Sequence, residues 1–278
     1  MFRGFNTVAS GMIAQQRRTE LLTNNMANAN TPGFKADQST IRSFPDMLMS
    51  RLGPTKIPTE NPISGKSLTT VGGISTGVYM SEIVALQTQG QLKQTDLNTD
   101  IALIDGGLPL DAETGKPGAL FFRLEHPAGG EAYTRNGNFT LDTAGFLTNA
   151  QGLYVLNSSG QRIQMQNDDF RVGDDGQIYV DDVSVSQIGV SFAATPDRLV
   201  KQDNGLLRTE DGNELPSAYD NGDVSFAMQQ GYIEGSNVDT AKTMTELMSA
   251  YRTFEANQKV LQAYDQSMQK TVNEVGRV

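Results

Sequence analysis

The apolar positions of this 278-residue chain change their period along its length. Over residues 3–28, with Phe2 leading in, apolar or small side chains recur at Phe5, Ala9, Met12, Leu22 and Met26, at steps near 3.5. That spacing predicts a helix. Gln16, Thr19 and Thr23 dilute the stripe, and Gly4 and Gly11 each cost about 1 kcal/mol in a helix interior, so this helix is weak alone. Residues 36–76 hold no sustained period. Pro45, Pro54, Pro58, Pro62 and Gly72-Gly73 punctuate them, FPDMLMSRLG is briefly helix-like, and the rest reads as an extended arm or loop. Residues 77–235 switch to short apolar runs: IALI at 101–104, ALFFRLE at 119–125, FTL at 139–141, GLYVL at 152–156, QIYV at 177–180 and QIGVSFA at 187–193. Asn136-Gly137, Ala144-Gly145, Ser159-Gly160, Asp175-Gly176, Asn204-Gly205, Asp211-Gly212 and Asn221-Gly222 separate them, so an antiparallel meander or partly closed barrel is expected.

Residues 237–273 return to a helical period, behind a Ser236-Asn237-Val238-Asp239 stretch that resembles a capping box. Met244, Leu247, Tyr251, Phe254, Gln258, Leu261, Asp265, Met268, Val272 and Val275 alternate steps of 3 and 4, a heptad seam with polar interruptions at Gln258 and Asp265. The expected fold is therefore α+β: long N- and C-terminal helices packed together, coiled-coil-like, plus a central antiparallel β domain. Its parts are residues 1–35, 36–76, 77–235 and 236–278.

A helix of about 35 residues spans roughly 52 Å, more than a small β domain is wide. Each Tyr, Phe, Leu or Met on its seam is worth about 1.5–3 kcal/mol if fully buried. Residues 3–28 are the other helical candidate in the chain, and an antiparallel pair of the two ends still leaves Leu22, Met26, Met248 and Val260 off the seam. Self-assembly through the termini is expected. The plain alternative is an intramolecular pair packed on the sheet. The first helix ends in NNMANANTPGFK, where Asn24, Asn25, Asn28 and Asn30 precede Thr31-Pro32-Gly33-Phe34. Thr31 before proline is pushed out of the α region. Asparagine amides both donate and accept, so the cluster reads as an inter-subunit polar joint, with a simple helix C-cap as the alternative.

Composition narrows the chemistry. With glycine counted and tyrosine left out, the apolar share is roughly 44%, close to the globular norm of about 45–50%. A net charge of −10 argues against nucleic acid, and the absence of cysteine removes disulfides, thiolate nucleophiles and Cys-ligated zinc. The N-terminus, MFRGFNTVASGMIAQQRR, does not read as a secretory signal. The sole histidine, His126, sits in a Pro/Gly loop, and no GxSxG elbow is present. SGKS at 64–67 has Glu60 where a phosphate loop needs its first glycine. The acidic run NDDFRVGDDGQIYVDD, aligned on Gly176 as a calcium loop, offers Arg171 and Gly173 where acids belong, so a solvated hairpin is the better reading. No cofactor, metal or small-molecule substrate is expected. A monomeric acidic hydrolase is the alternative of another class, but tryptophan, the commonest sugar-stacking residue, is absent and the heptads would go unexplained.

Three stretches carry a family resemblance: Asn24-Asn25 through Asn30-Thr31-Pro32-Gly33-Phe34-Lys35; Tyr133-Thr134-Arg135-Asn136-Gly137-Asn138-Phe139; and Gly231-Tyr232-Ile233-Glu234-Gly235-Ser236-Asn237-Val238, followed by Tyr251-Arg252 and Phe254-Glu255-Ala256-Asn257-Gln258-Lys259-Val260. Together they resemble the bacterial flagellar rod and hook proteins. The pattern Asp-x-Ala-Ile-x-Gly is here Asp100-Ile101-Ala102-Leu103-Ile104-Asp105-Gly106, one residue longer, and LPLDAETGKPGAL intervenes before Phe121-Phe122. The resemblance implies a structural axial subunit of the basal body, not an enzyme, whose terminal helices pack into tubes around a channel. It implies export by the flagellar type III apparatus without a cleaved signal, to an extracytoplasmic site, and partners among its own copies, other rod subunits and the hook protein. Size favours the distal-rod type, in which residues 36–76 are an arm that stiffens the shaft, with a hook or junction subunit as the alternative. The residues assigned to assembly are Asn24, Asn25, Asn28, Asn30, Pro32, Gly33 and Phe34 at the turn, and Met244, Leu247, Tyr251, Phe254, Asn257, Gln258 and Leu261 on the C-terminal helix.

Overall fold

The computed structural model describes residues 2–56, 64–111, 115–165, 169–202 and 205–275. Pro58, Glu60, Pro62, Asn167, Asp168 and Asn204 lie outside the described residues, as do the side chains of residues 2–3, 51–69 and 275, including those of Phe2 and Val275. The architecture is α+β, with two helices and many antiparallel strands. The chain divides into two compact units, Met1–Asn24 with Gln38–Ile83 and Ala241–Val278, and Asn25–Asp37 with Val84–Thr240.

The first unit holds both helices and the arm. Helix α1 runs Phe2–Ala27. Strands β1 (Asp37–Ser43), β2 (Met47–Lys56), β3 (Ser64–Ile74) and β4 (Val78–Ala85) follow, and helix α2 runs Thr240–Val275. The arm is thus β-structured: β1 pairs with β4, and β2 with β3 from Met47↔Ile74 to Lys56↔Ser64. The helix-like MLMSRLG is a strand because Pro45 and Pro54 bound a run far shorter than the ~12–15 residues an isolated helix needs. The β-branched Thr69 and Thr70 on β3 pair with Arg51 and Ser50, and Val71 falls at the register shift beside them.

The two helices run antiparallel. A Cβ on Gly4 would overlap the Tyr264 hydroxyl, one on Gly11 would come 3.3 Å from Asn257 Nδ2, and Arg18 pairs with Glu246 at 3.3 Å. Leu21 and Leu22 bury against Ala250, with Leu247 and Met80 packed alongside. Apart from Glu246, which pairs with Arg18, the residues least exposed along α2 are Thr243, Leu247, Ala250, Phe254, Asn257, Leu261, Tyr264 and Met268, again at alternating steps of 4 and 3.

The second unit is the β core. Its strands are β5 (Leu92–Gln94), β6 (Ile101–Asp105), β7 (Ala119–Glu125), β8 (Glu131–Thr134), β9 (Phe139–Leu141), β10 (Leu147–Asn149), β11 (Arg171–Val172), β12 (Gln177–Val180), β13 (Val183–Gln187), β14 (Val190–Ala193), β15 (Leu199–Lys201), β16 (Leu207–Thr209), β17 (Phe226–Gln230) and β18 (Tyr232–Glu234). A five-stranded antiparallel sheet in the order β14-β7-β8-β16-β15 forms its centre. Strand β7 is buried on both faces, as its unbroken apolar run implies. Leu120, Phe122 and Leu124 enter the main core with Ile101, Leu103, Phe139 and Ile188, whereas Ala119 and Phe121 face Tyr133 and Ala193 on the other side. Gly137 is required by close approach: a Cβ there would sit on the Ile101 carbonyl oxygen.

The GLYVL run makes isolated bridges at Tyr154, Val155 and Leu156, not a continuous strand. The capping-box expectation also gives way. Helix α2 starts at Thr240, and the Asn237 side chain instead accepts from Ala36 N at 2.7 Å and donates to Leu86 O and Thr88 O at 2.7 and 3.0 Å. The hydroxyl of Ser236, the residue a capping box would use, accepts from Val238 N at 3.3 Å in a turn that precedes the helix.

Candidate assembly site

The turn after α1 is seated by its asparagines and by a buried ionic cluster. Asn25 is buried; its Nδ2 donates to Asp37 O at 2.8 Å and its Oδ1 accepts from Asp37 N at 2.9 Å. One amide thus satisfies both backbone groups of Asp37, as a neighbouring strand would, and this bond pair lies within the chain. Asn28 Oδ1 accepts from Thr31 Oγ1 at 3.1 Å, closing the turn. Asn24 and Asn30 are exposed, Pro32 and Phe34 half-buried. Gly33 has φ +69°, and a Cβ there would run into the Asn136 backbone, so glycine is needed twice over. The Lys201 ammonium lies 4.1 Å from the centre of the Phe34 ring.

Behind the turn lie Lys35, Arg135 and Glu234. Glu234 is 1% exposed; its Oε1 pairs with Lys35 Nζ at 2.6 Å and accepts from Gly90 N at 2.7 Å, and its Oε2 pairs with Arg135 Nε at 2.5 Å. Arg135 further donates to the carbonyls of Leu120 and Leu103 at 2.8 and 3.1 Å and reaches Asp105 at 2.8 Å. Lys35 completes its set with Thr88 O at 2.9 Å. Burial is the largest influence on both ends of the Lys35–Glu234 pair. It pushes the Lys35 ammonium below its ordinary range against the pull of Glu234. For Glu234, burial works upward, but the charges of Arg135 and Lys35 and their hydrogen bonds prevail and hold the carboxyl below its ordinary value. These groups come from the three stretches that carried the family resemblance, one from each. None was assigned a role from sequence. All three stood inside quoted motifs, and the single charged residue in each otherwise neutral stretch was the available signal.

On α2, only one column of the expected seam faces inward. Leu247, Phe254 and Leu261 are half-buried, whereas Met244 and Tyr251 are 50% and 54% exposed and Gln258 is exposed. The second inward column is set one residue away, at Thr243, Ala250, Asn257 and Tyr264, because Gly4 and Gly11 on α1 leave room for Asn257 and Tyr264. Asn257 is half-buried. Met244, Met248 and Tyr251 therefore form an outward apolar patch at i, i+4 and i+7.

His126 Nδ1 accepts from Ala128 N at 3.1 Å inside the β7–β8 turn. Among the described residues no group of three or more His, Asp or Glu side chains could hold a metal ion, and no helix is long and apolar enough to cross a membrane. The β core is closed by its own ion pairs, and the helices leave an apolar stripe uncovered. Residues 5–35 match the family description "Flagella basal body rod protein", residues 117–180 "Flagellar hook protein FlgE/F/G D1 domain" and residues 229–274 "Flagellar basal body rod FlgEFG protein C-terminal". The chain is similar to the flagellar hook-basal body complex protein FlhO of Bacillus subtilis, 46% identical over 278 residues and the whole of both chains. It is also similar to the flagellar basal-body rod protein FlgG of the same organism, 31% identical over 98% of this chain and 99% of that one, and to FlgF of Rhizobium meliloti, 28% identical over 99% of each. The chain belongs to the flagellar basal-body rod and hook-basal body protein family. It is a structural flagellar subunit and not an enzyme.

Proposed function

We propose that this protein polymerises through its terminal helices into the torque-transmitting shaft of the flagellum, as a rod subunit of the distal type. The observation that carries the reading is the outward patch of Met244, Met248 and Tyr251 on α2, continued in the same heptad column by Val272, which is 72% exposed. Apolar side chains left in water along a 36-residue helix gain about 1.5–3 kcal/mol each when neighbouring helices cover them. Coiled-coil-like packing of the two helix ends is completed in the polymer by other copies. Asn24, Asn30, Pro32 and Phe34 form the joint at the helix end, and Asn25, Asn28 and Gly33 hold its shape. Leu247, Phe254, Asn257 and Leu261 keep the helix pair together, and Met244, Tyr251 and Gln258 meet the neighbours.

The partners are further copies of this chain, other rod subunits and the hook protein. The subunit is delivered through the flagellar type III export apparatus without a cleaved signal and works outside the cytoplasm. The hairpin of β2 and β3, with Leu48 73% exposed beside Met47, Met49 and Val71, is the arm that stiffens the shaft. A hook or junction subunit is the second reading, favoured by the hook D1 match over 117–180. Electron microscopy of basal bodies from a strain lacking the protein tests the choice. A shaft that stops before the hook supports the rod assignment, and a complete rod without a hook overturns it.

A further inference from the structure

Four consecutive residues after the proline each bond to the segment 234–237. Gly33 N donates to Glu234 O at 2.8 Å, Phe34 O accepts from Asn237 N at 3.3 Å, Lys35 pairs with Glu234, and Ala36 N donates to Asn237 Oδ1 at 2.7 Å. Residues 34–36 belong to no helix or strand, so these bonds do the work a ladder would do elsewhere. The two halves are 199 positions apart at Lys35 and Glu234. Deprived of Glu234, the buried Lys35 ammonium keeps one carbonyl, Thr88 O, and Arg135 keeps Asp105 as its carboxylate. A buried cation without its counter-ion is among the costliest defects a fold can carry.

We propose that residues 33–37 and 232–237 form a two-part latch, each half tightened by the other beyond what residues 86–94 give to both, so that the last β segment of the chain sets the Asn-Thr-Pro-Gly turn near its beginning. In an ordinary fold a turn closes on its neighbours in sequence. Here the neighbours supply the geometry of Thr31 and Gly33, but the counter-charge and two of the backbone partners come from the far end. Long-range contacts form late in folding, since loop closure precedes any gain from them. The turn therefore stays open until the C-terminal segment arrives. If the turn is the assembly joint, which rests on the function proposed above, an incomplete chain presents no joint and is kept out of the polymer. The coupling itself does not depend on that reading.

Amide hydrogen exchange on the full-length monomer tests the latch without any assembly step. Glu234→Gln is expected to speed exchange of residues 33–37 and 232–237 together, by about a hundredfold or more, while the strands at 119–134 change less than about tenfold. Lys35→Ala, on the other half, must loosen 232–237 as it loosens 33–37, because coupling between two elements is reciprocal. Asn237→Ala removes only neutral bonds and gives the same pattern at smaller amplitude should Glu234→Gln fail to fold. The latch is overturned if one half loosens while the other keeps its protection, or if all strands of the β unit loosen by one common factor.

Discussion

Replacing Glu234 by alanine should cost the β unit a large part of its stability. The side chain holds Lys35 at 2.6 Å, Arg135 at 2.5 Å and the Gly90 amide at 2.7 Å, and the residue is 1% exposed. Removing one partner of a buried pair costs about 3–5 kcal/mol, because the remaining charge is left unpaired in a poorly polarisable setting. Against a typical total of about 5–15 kcal/mol, that is about a fifth or more. For a unit of roughly 150–250 residues, each kcal/mol moves the melting midpoint by about 2–4 °C, so a fall of about 6–20 °C is expected in thermal unfolding followed by circular dichroism. Acid supplies a second signature. The folded carboxyl is held below its ordinary value near 4.5, so its stabilisation is fully present above that value and is lost as pH falls through the depressed folded value. The gap between parent and variant should stay constant from neutrality to about pH 5 and close below pH 4. Glu125→Ala, which breaks the exposed pair with Arg162, is the control and should leave the midpoint nearly unmoved. A Glu234→Ala midpoint no lower than that control, or a gap that widens in acid, would refute the reasoning.

Other changes separate fold from assembly. Tyr251→Asp places a charge on the outward patch, so the monomer's circular dichroism should be unchanged while filament formation, followed by sedimentation and microscopy, is lost. Phe254→Asp lies on the inward column and should weaken the helix pair in the monomer as well, seen as faster proteolysis of both ends. Asn25→Leu leaves the Asp37 amide and carbonyl unpaired and should cost about 1–3 kcal/mol in urea unfolding, whereas Asn30→Leu, at an exposed position, should leave monomer stability nearly unchanged. Gly137→Ala drives a Cβ onto the Ile101 carbonyl and should prevent the β unit from folding, read as loss of its strand spectrum and of soluble expression.

Much of the fold is legible in the residues because it rests on local rules. The 3.5-step stripe of α1, the proline and glycine that stop it, the apolar run 119–125 and the heptad of α2 each follow from side-chain periodicity, and the strands Ala119–Glu125, Phe139–Leu141 and Gln177–Val180 begin and end where their runs do. The arm was not legible as strands. Its ladder joins Met47–Lys56 to Ser64–Ile74, and pairing between segments leaves little trace within either one.

By itself, then, the order of residues determined the two helices and the strands with the clearest apolar runs, that the α2 helix carries more apolar surface than one partner covers, and which three motifs mark the family. Tertiary structure alone decided what those motifs do. Asn25 and Asn237 serve the backbone of distant residues, Lys35 and Arg135 are balanced by Glu234 and Asp105 inside the β unit, and α1 selects Thr243, Ala250, Asn257 and Tyr264 over the equally periodic Met244, Tyr251, Gln258 and Asp265. The reason is physical. Helical and strand periods are properties of a segment, but the partner of a buried charge, and the face a helix turns inward, are set by atoms brought close only when remote parts of the chain meet.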